Sequence, residues 1–234
     1  MRHFLILISC LPMLASAQSK SDKRTCRIVF LNPAADSPKK LFLYDGATSR
    51  QIDLPSMNFS DIYQISAGDT SVVFTPMAIT KPEDIPAGAP MKKLPVDIVD
   101  FYLVVSGDPA NKVAPVQFQV VDAGSQKFRK GQMMWFNLTP NSVGGQLGSQ
   151  KLALKGQSRA IVEAPASRDE AFDVKLGYAI ANEPRIYPIC QTKWVHDSRS
   201  RVVMFVYGGE DNSTPQIEGF TDFRDSPDPA SKKP

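Results

Sequence analysis

The sequence predicts an all-β protein built as a sandwich of antiparallel sheets. Short stretches in which every second residue is apolar recur along the chain. Turn-forming pairs such as Asn32-Pro33 and Asp45-Gly46 separate these stretches. No window of about eleven residues carries the apolar stripe of an amphipathic helix. These three observations favour many short strands over helices.

The alternation places strands at definite positions along the chain. The expected strands are residues 25–31, 41–44, 49–54, 62–66, 71–75, 101–105, 116–120, 134–138, 172–180, 189–195 and 201–207. Residues 101–105 are apolar without interruption, which is typical of a strand buried on both faces. Turn sequences predict hairpins at Asp45-Gly46, at residues 67–70 and at residues 196–200. The pattern predicts an antiparallel immunoglobulin-like β-sandwich of about ten strands, with little or no helix.

The first residues read as a secretory signal peptide. Arg2 supplies the positive start, residues 4–14 an apolar run, and residues 15–17 an Ala-Ser-Ala cleavage signature. The apolar run is too short to cross a bilayer as a helix. We therefore expect residues 1–17 to be removed, leaving a periplasmic or extracellular protein without a transmembrane segment.

A lipoprotein anchored at Cys10 is the alternative interpretation of the N-terminus. Residues 7–10 read Leu-Ile-Ser-Cys, which resembles a lipidation motif. Only the six residues 4–9 form the apolar run before Cys10, which is short for a signal sequence, and the run continues to Leu14. Simple cleavage before Gln18 is favoured, and the alternative stays open.

The remaining chain is expected to form one main unit. Residues 18–24 are predicted to be a flexible N-terminus, 25–223 a β-sandwich unit, and 224–234 a disordered tail. Five prolines punctuate residues 76–95, which could be a linker between two subdomains or a crossover on one sandwich. A domain of residues 25–75 alone would bury too little surface, so one integrated unit is favoured.

Cys26 and Cys190 are the only cysteines left after cleavage at Gln18. Because export exposes a protein to oxidising conditions and both residues lie on apolar strand faces, we expect a disulfide between them. It would close a loop of about 165 residues and stabilise the fold by up to ~5 kcal/mol. Two buried thiols are the alternative, and a catalytic Cys190 paired with His196 is a third, less favoured one.

Motifs for catalysis, metals or cofactors are absent from the sequence, so no residue is assigned to these roles. His196 is the only histidine beyond residue 17, which excludes zinc sites built on two histidines. A Ser-His-Asp triad would need His196, which stands beside Asp197 in a predicted hairpin loop and is expected to be solvated. Paired carboxylates stay possible, since their geometry is not visible in sequence.

Two features could face a ligand, although simple structural roles are favoured for both. The glycine-rich residues 141–150 predict a hairpin connection, with a ligand-facing loop as the alternative. Residues 127–130 and 199–201 are basic spots that could touch anionic glycans. The net charge is only +3 and the charges are scattered, so no nucleic-acid partner is expected.

Three short motifs, at residues 27–33, 44–46 and 63–68, resemble the opening of small exported bacterial β-sandwich domains. The remainder, including residues 132–150, is similar to uncharacterised exported proteins of the Planctomycetes and Verrucomicrobia kind. This resemblance implies export and a β-sandwich, and it supplies no catalytic residue.

The sequence therefore favours an exported, non-enzymatic binding or structural module. Its partner would be a protein or glycan of the cell envelope. The rival hypothesis is a hydrolase that acts on an envelope or extracellular polymer through paired carboxylates.

Overall fold

The computed structural model describes residues 23–208 and 214–223, which form sixteen β-strands. Within these residues a 3-10 turn at Pro82–Asp84 is the one helical element, which confirms the all-β class. The predicted signal peptide, Cys10, most of the predicted N-terminal segment and the predicted tail lie outside the described residues. The strands are β1 Lys23–Phe30, β2 Lys40–Tyr44, β3 Ser49–Asp53, β4 Tyr63–Ser66, β5 Ser71–Thr75, β6 Met91–Lys93, β7 Asp100–Gly107, β8 Val116–Asp122, β9 Met133–Asn137, β10 Ser142–Leu147, β11 Gln150–Leu154, β12 Ser158–Val162, β13 Ala171–Ala179, β14 Ile186–Val195, β15 Arg201–Tyr207 and β16 Gln216–Asp222.

The strands form four sheets of four strands each. Sheet I has the order β4-β1-β7-β8, and sheet II the order β3-β2-β5-β6. Sheet III has the order β12-β9-β15-β16, and sheet IV the order β11-β10-β13-β14. Neighbouring strands are antiparallel except β1 with β7 and β9 with β15, which are parallel.

The two halves of the chain have the same topology. Adding eight to each strand number converts sheet I into sheet III and sheet II into sheet IV. The parallel pair β1–β7 becomes β9–β15 in the same way. We call strands β1–β8 the first half and strands β9–β16 the second half. The described chain is thus a tandem repeat of one eight-stranded arrangement.

The sheets stack as four layers in the order II, I, III, IV, with three apolar cores between them. Ile28 and Phe74 belong to the core between sheets I and II, and Trp135 and Leu176 to the core between sheets III and IV. The middle core joins sheets I and III. Its buried residues are Val29, Leu31, Phe59, Tyr102, Val121, Ala123, Phe128, Met134, Phe136, Val203, Phe205 and Phe220.

The prediction of strand positions was better than the prediction of their pairing. Each expected strand overlaps an observed one, and β7 lies between two cores, as its unbroken apolar sequence predicts. The β2–β3 hairpin is confirmed. The predictions of hairpins at residues 67–70 and 196–200 are wrong. β4 lies in sheet I and β5 in sheet II, and β14 lies in sheet IV and β15 in sheet III.

The sixteen strands exceed the expected number of about ten, because five strands carry weak sequence signals. The glycine-rich residues 141–150 are neither a ligand-facing loop nor a long connection. They contain β10, which lies inside sheet IV and makes a tight turn into β11. The other strands that the pattern does not reveal are β6, β11, β12 and β16.

Residues 76–95 lie within the first half. They contain the 3-10 turn and end after β6, which pairs with β5 at the edge of sheet II. An edge position tolerates the neighbouring prolines, because one side of the strand needs no backbone partner. That residues 25–223 form one integrated unit stays a prediction.

Cys26 and Cys190 are not joined by a disulfide, which corrects the expected cross-link. Cys26 lies on β1 in the core between sheets I and II, and Cys190 lies on β14 of sheet IV. Stacked sheets are about 10 Å apart, so two sheet spacings separate the residues by about 20 Å. A disulfide needs Cα atoms within about 7 Å. Alternation placed both sulfurs on apolar faces, but the faces belong to different cores.

Candidate functional site

An open cleft of about 450 Å³ lies along one side of the second half. It is bordered by β14, the edge strand of sheet IV, and by β16, the edge strand of sheet III. We call it the edge cleft. Within the described residues, each of these strands pairs with a neighbour on one side only, so each presents a row of backbone groups on the other side.

The floor of the edge cleft is apolar and rigidly packed. Met133, Met204 and Phe172 contribute to it from β9, β15 and β13. Trp194 stacks on the buried Trp135 with ring centroids 6.1 Å apart, and meets Phe172 edge-on at 6.3 Å. Such aromatic pairs stabilise the floor by about 0.5–1.5 kcal/mol each beyond the burial of their surface.

The rim of the edge cleft exposes apolar side chains to solvent. Val195 at the end of β14 is 79% exposed, and Phe223 directly after β16 is 48% exposed. Ile217, Gly219 and Thr221 alternate along β16 and also line the cleft. These exposed apolar side chains make the edge cleft a candidate binding surface.

The corresponding edges of the first half are closed. There β6 and β8 are in contact, and Leu94, directly after β6, is fully buried in the core between sheets I and II. In the second half β14 is longer than β6 at its N-terminal end, with ten residues against three, and the edge cleft separates β14 from β16. The contact between β6 and β8 thus covers the edge in the first half, whereas the edge cleft lies open between β14 and β16 in the second half.

His196 lies at one end of the edge cleft and is buried, which corrects the expectation of a solvated loop histidine. Its backbone N–H donates to the carbonyl oxygen of Glu170 at 2.9 Å. A Cβ atom on Gly131 would lie only 3.5 Å from its imidazole Cε1, so the ring packs against the backbone there. The segment crosses between sheets instead of forming a hairpin, and the crossing buries the ring.

His196, Asp197 and Ser200 line the same end of the cleft without forming a catalytic triad. The Asp197 carboxylate accepts hydrogen bonds from Arg199 Nε at 2.9 Å and Nη2 at 3.0 Å. These bonds, with one from the Arg199 backbone N–H, hold the pKa of Asp197 below its ordinary value. The Ser200 hydroxyl donates to the Asp197 carbonyl oxygen at 3.1 Å. Ser200 and Asp197, the nucleophile and the acid of such a triad, therefore form hydrogen bonds with groups other than the His196 imidazole.

Cys190 and His196 do not form a catalytic pair either. Cys190 takes part in the core between sheets III and IV, whereas His196 lies at the end of the edge cleft. Burial raises the pKa of the Cys190 thiol. A raised pKa lowers the fraction of thiolate and so the reactivity of the sulfur.

The basic spots expected from sequence are largely neutralised. Lys127 pairs with Asp122 at 2.6 Å, and Arg129 pairs with Glu163 at 3.2 Å. Arg201 is buried between sheets I and III, with its guanidinium over the Phe128 ring. These residues stabilise loops and a core, and they leave little charge for an anionic ligand.

A buried ionic cluster joins the two halves. The carboxylate of Asp222 on β16 is bound by Arg27 of β1 at 2.6 Å and by Arg201 of β15 at 2.8 Å. Tyr102 of β7 also donates its hydroxyl to Asp222. Burial, with the nearby charge of Asp222, raises the pKa of Tyr102 well above its ordinary value, so it stays a donor.

Both arginines of the ionic cluster also bind backbone carbonyl oxygens, which indicates a structural role. The second guanidinium nitrogen of Arg201 donates to the carbonyl oxygens of Ala123 at 2.7 Å and Phe128 at 3.1 Å. Arg27 Nε donates to the carbonyl oxygen of Ser60 at 2.7 Å. The charges of the ionic cluster are compensated by partners from both halves. The cluster therefore fixes how sheets I and III meet.

The described residues were compared with the requirements of a metal site and of a membrane-spanning helix. Residues 23–208 and 214–223 contain no group of three or more His, Cys, Asp or Glu side chains that could hold a metal ion. In the same residues, no helix has the length and apolar character needed to cross a bilayer. Comparison with known proteins adds no family: no protein-family model matches the chain, and no curated protein is significantly similar to it.

Proposed function

We propose that this protein is an exported, non-enzymatic binding module of the bacterial envelope or exterior. The export part rests on the signal-peptide pattern of residues 1–17. We assign each half as an immunoglobulin-like β-sandwich, supported by two four-stranded sheets packed over one core. The partner is a protein that inserts an extended apolar segment into the edge cleft.

The observation that carries this proposal is the pair of sheet edges on either side of an apolar floor. An extended segment between β14 and β16 could add main-chain hydrogen bonds to one of these edges, as in recognition by strand addition. Alternate side chains of the segment would point to the floor around Trp194, which gives specificity for apolar residues at every second position. A peptide satisfies both demands, because it carries backbone donors as well as apolar side chains.

A hydrolase with paired carboxylates receives less support from the described residues. Asp197 is the one carboxylate among the residues that line the edge cleft, and Arg199 binds it. Asp222 and Asp100 both lie near Arg201, but Asp222 is fully buried between the halves.

Peptide binding can be tested with random peptides as long as β14, displayed on phage and selected on the chain from Gln18 to Pro234. We expect enrichment of peptides with apolar residues at alternate positions. Val195→Lys and Phe223→Lys should each weaken their binding at least ~tenfold, because a charge at the rim must lose water. Fluorescence anisotropy with a labelled selected peptide gives the Kd.

The matched control is Val96→Lys, which adds the same charge at an apolar residue that is 70% exposed in the first half. It should leave the Kd unchanged. Selected peptides that bind the Val195→Lys/Phe223→Lys protein as tightly as the unmodified protein would contradict the proposal. So would a selection without any enriched pattern.

Export and the state of the cysteines can be tested together by intact mass. The full chain, produced in a bacterium and alkylated in denaturant without reductant, is expected to begin at Gln18 and to carry two alkyl groups. Two groups are expected because Cys26 and Cys190 lie in different cores. An uncleaved chain would refute export, a lipidated Cys10 would replace simple cleavage, and an unalkylated chain would restore the disulfide.

A further inference from the structure

His196 stands at the position where the first half has a core leucine. Leu94 directly follows β6, and its backbone N–H donates to the carbonyl oxygen of Thr70, the residue before β5, at 2.9 Å. His196 directly follows β14, and its backbone N–H donates to that of Glu170, the residue before β13, at 2.9 Å. Because β5 and β6 correspond to β13 and β14 in the repeat, Leu94 and His196 are equivalent residues.

The side chain of His196 is polar but as deeply placed as the leucine it corresponds to. His196 is 6% exposed, and Leu94 is fully buried. Within residues 23–208 and 214–223, no group forms a hydrogen bond with the His196 imidazole, which lines the edge cleft. Buried polar groups normally have hydrogen-bond partners, and a neutral imidazole carries a donor and an acceptor nitrogen. The imidazole therefore indicates that a ligand supplies its partner.

The polar groups next to His196 are already bound. The carboxylate of Asp197 pairs with Arg199 at 2.9 Å, and the Ser200 hydroxyl donates to the Asp197 carbonyl oxygen at 3.1 Å. Arg199 thus compensates the charge of Asp197, so a basic group on a ligand would gain little at this end of the cleft. The imidazole stays available to a ligand that brings an acceptor.

We propose that the edge cleft recognises an acidic residue of its protein partner through the His196 imidazole. This inference rests on the proposed function, because it adds one charged residue to the apolar segment that the cleft is proposed to bind. A carboxylate accepts a hydrogen bond from the imidazole N–H, and its charge favours the protonated ring. The resulting charge-assisted bond is stronger than a bond to an amide or a hydroxyl group.

The acidic residue lies at the N-terminal end of the partner segment. β14 ends at Val195, directly before His196, so the C-terminal end of β14 lies beside the imidazole. A segment that pairs with β14 in the antiparallel sense begins where β14 ends, and antiparallel pairing is the more stable arrangement. The recognised motif is therefore an Asp or Glu followed by apolar residues at alternate positions.

A peptide library on phage, with apolar residues fixed at alternate positions and a random residue at each end, tests this motif on the chain from Gln18 to Pro234. We expect enrichment of Asp or Glu at the N-terminal end. An enriched peptide should bind at least ~tenfold more tightly than the same peptide with the corresponding amide residue, as measured by fluorescence anisotropy.

His196→Leu should bind the acidic and the amide peptide equally, because leucine supplies no donor. The variant should fold, since leucine occupies the equivalent position of the first half, and circular dichroism checks this. A second variant, His196→Gln, keeps a polar side chain but cannot take up a proton, so it should also reduce the preference. The matched control is Thr221→Val, which removes an exposed hydroxyl from the same cleft and should keep the preference.

The outcomes separate this inference from the proposed function. Enriched peptides that carry the apolar pattern without an acidic residue at the N-terminal end would overturn the inference and leave peptide binding intact. An undiminished preference for the acidic peptide in folded His196→Leu or His196→Gln protein would also overturn it. A library without any enriched peptide would contradict the proposed function and this inference with it.

Discussion

Replacing Asp222 by asparagine is expected to lower the free energy of unfolding by about 3–5 kcal/mol. The substitution keeps the shape of the side chain but removes the closer of the two carboxylates that pair with Arg201, which is also the carboxylate that pairs with Arg27. Arg201 is buried between the halves and cannot recover the loss by turning to water. Urea unfolding of the single variant measures the effect.

A second variant separates the loss of charge from the loss of packing. In the double variant Asp222→Asn/Arg201→Met no guanidinium remains buried at position 201, so we expect part of the stability to return. The control Asp173→Asn breaks the exposed Asp173–Lys193 pair and should cost less than about 1 kcal/mol. A loss below about 1 kcal/mol for Asp222→Asn would show that the ionic cluster does not hold the halves together.

Gly145→Ala is expected to destabilise the second half by at least about 2 kcal/mol. The new Cβ atom would lie 1.9 Å from the carbonyl oxygen of Lys175 on the neighbouring strand. That neighbour is backbone and cannot move without breaking the β10–β13 pairing in the middle of sheet IV. Urea unfolding of the variant tests this requirement.

The matched control for Gly145→Ala is Gly107→Ala, at the end of β7. A Cβ atom there would meet no other atom within 4 Å. Its effect should stay below about 1 kcal/mol and can be stabilising, because alanine restricts the unfolded chain. Equal effects at the two positions would refute the close approach of β10 and β13 as the reason for glycine.

The strand positions could be predicted because the alternation of apolar residues is a local property. In β13, Phe172, Val174 and Leu176 are buried while the residues between them are exposed, as the pattern predicts. The same rule failed for β10, whose two central glycines carry no hydropathy signal. Their purpose, a close approach to neighbouring strands, exists only in the assembled sheet.

The pairing of strands could not be predicted, because it depends on which faces are covered. A short loop such as residues 67–70 fits a hairpin, yet it also fits a passage from one sheet to the sheet stacked on it. In the structure β4 and β5 are in different sheets, and the loop makes that passage. Burial of both strands decides between the two outcomes, and it involves residues far away in sequence.

For the candidate sites, too, the sequence indicated single residues, and the tertiary structure decided what surrounds them. Sequence singled out His196 as the only histidine after residue 17, but its burial beside Gly131 depends on the crossing from sheet IV to sheet III. The edge cleft itself carries no motif. It arises because β14 and β16 border different sheets and stay apart. The apolar alternation of β14 predicts a strand before His196. It does not show that this strand lies at the edge of a sheet.

The sequence by itself determined the all-β class, the positions of most strands and the apolar setting of Cys26 and Cys190, because side-chain alternation is encoded residue by residue. The tertiary structure decided that the strands form a repeated pair of stacked sheets and that the two cysteines lie in different cores. It also decided that Asp222 meets Arg27 and Tyr102 from the other half. These contacts depend on which faces pack together, and a local period of two carries no information about that choice.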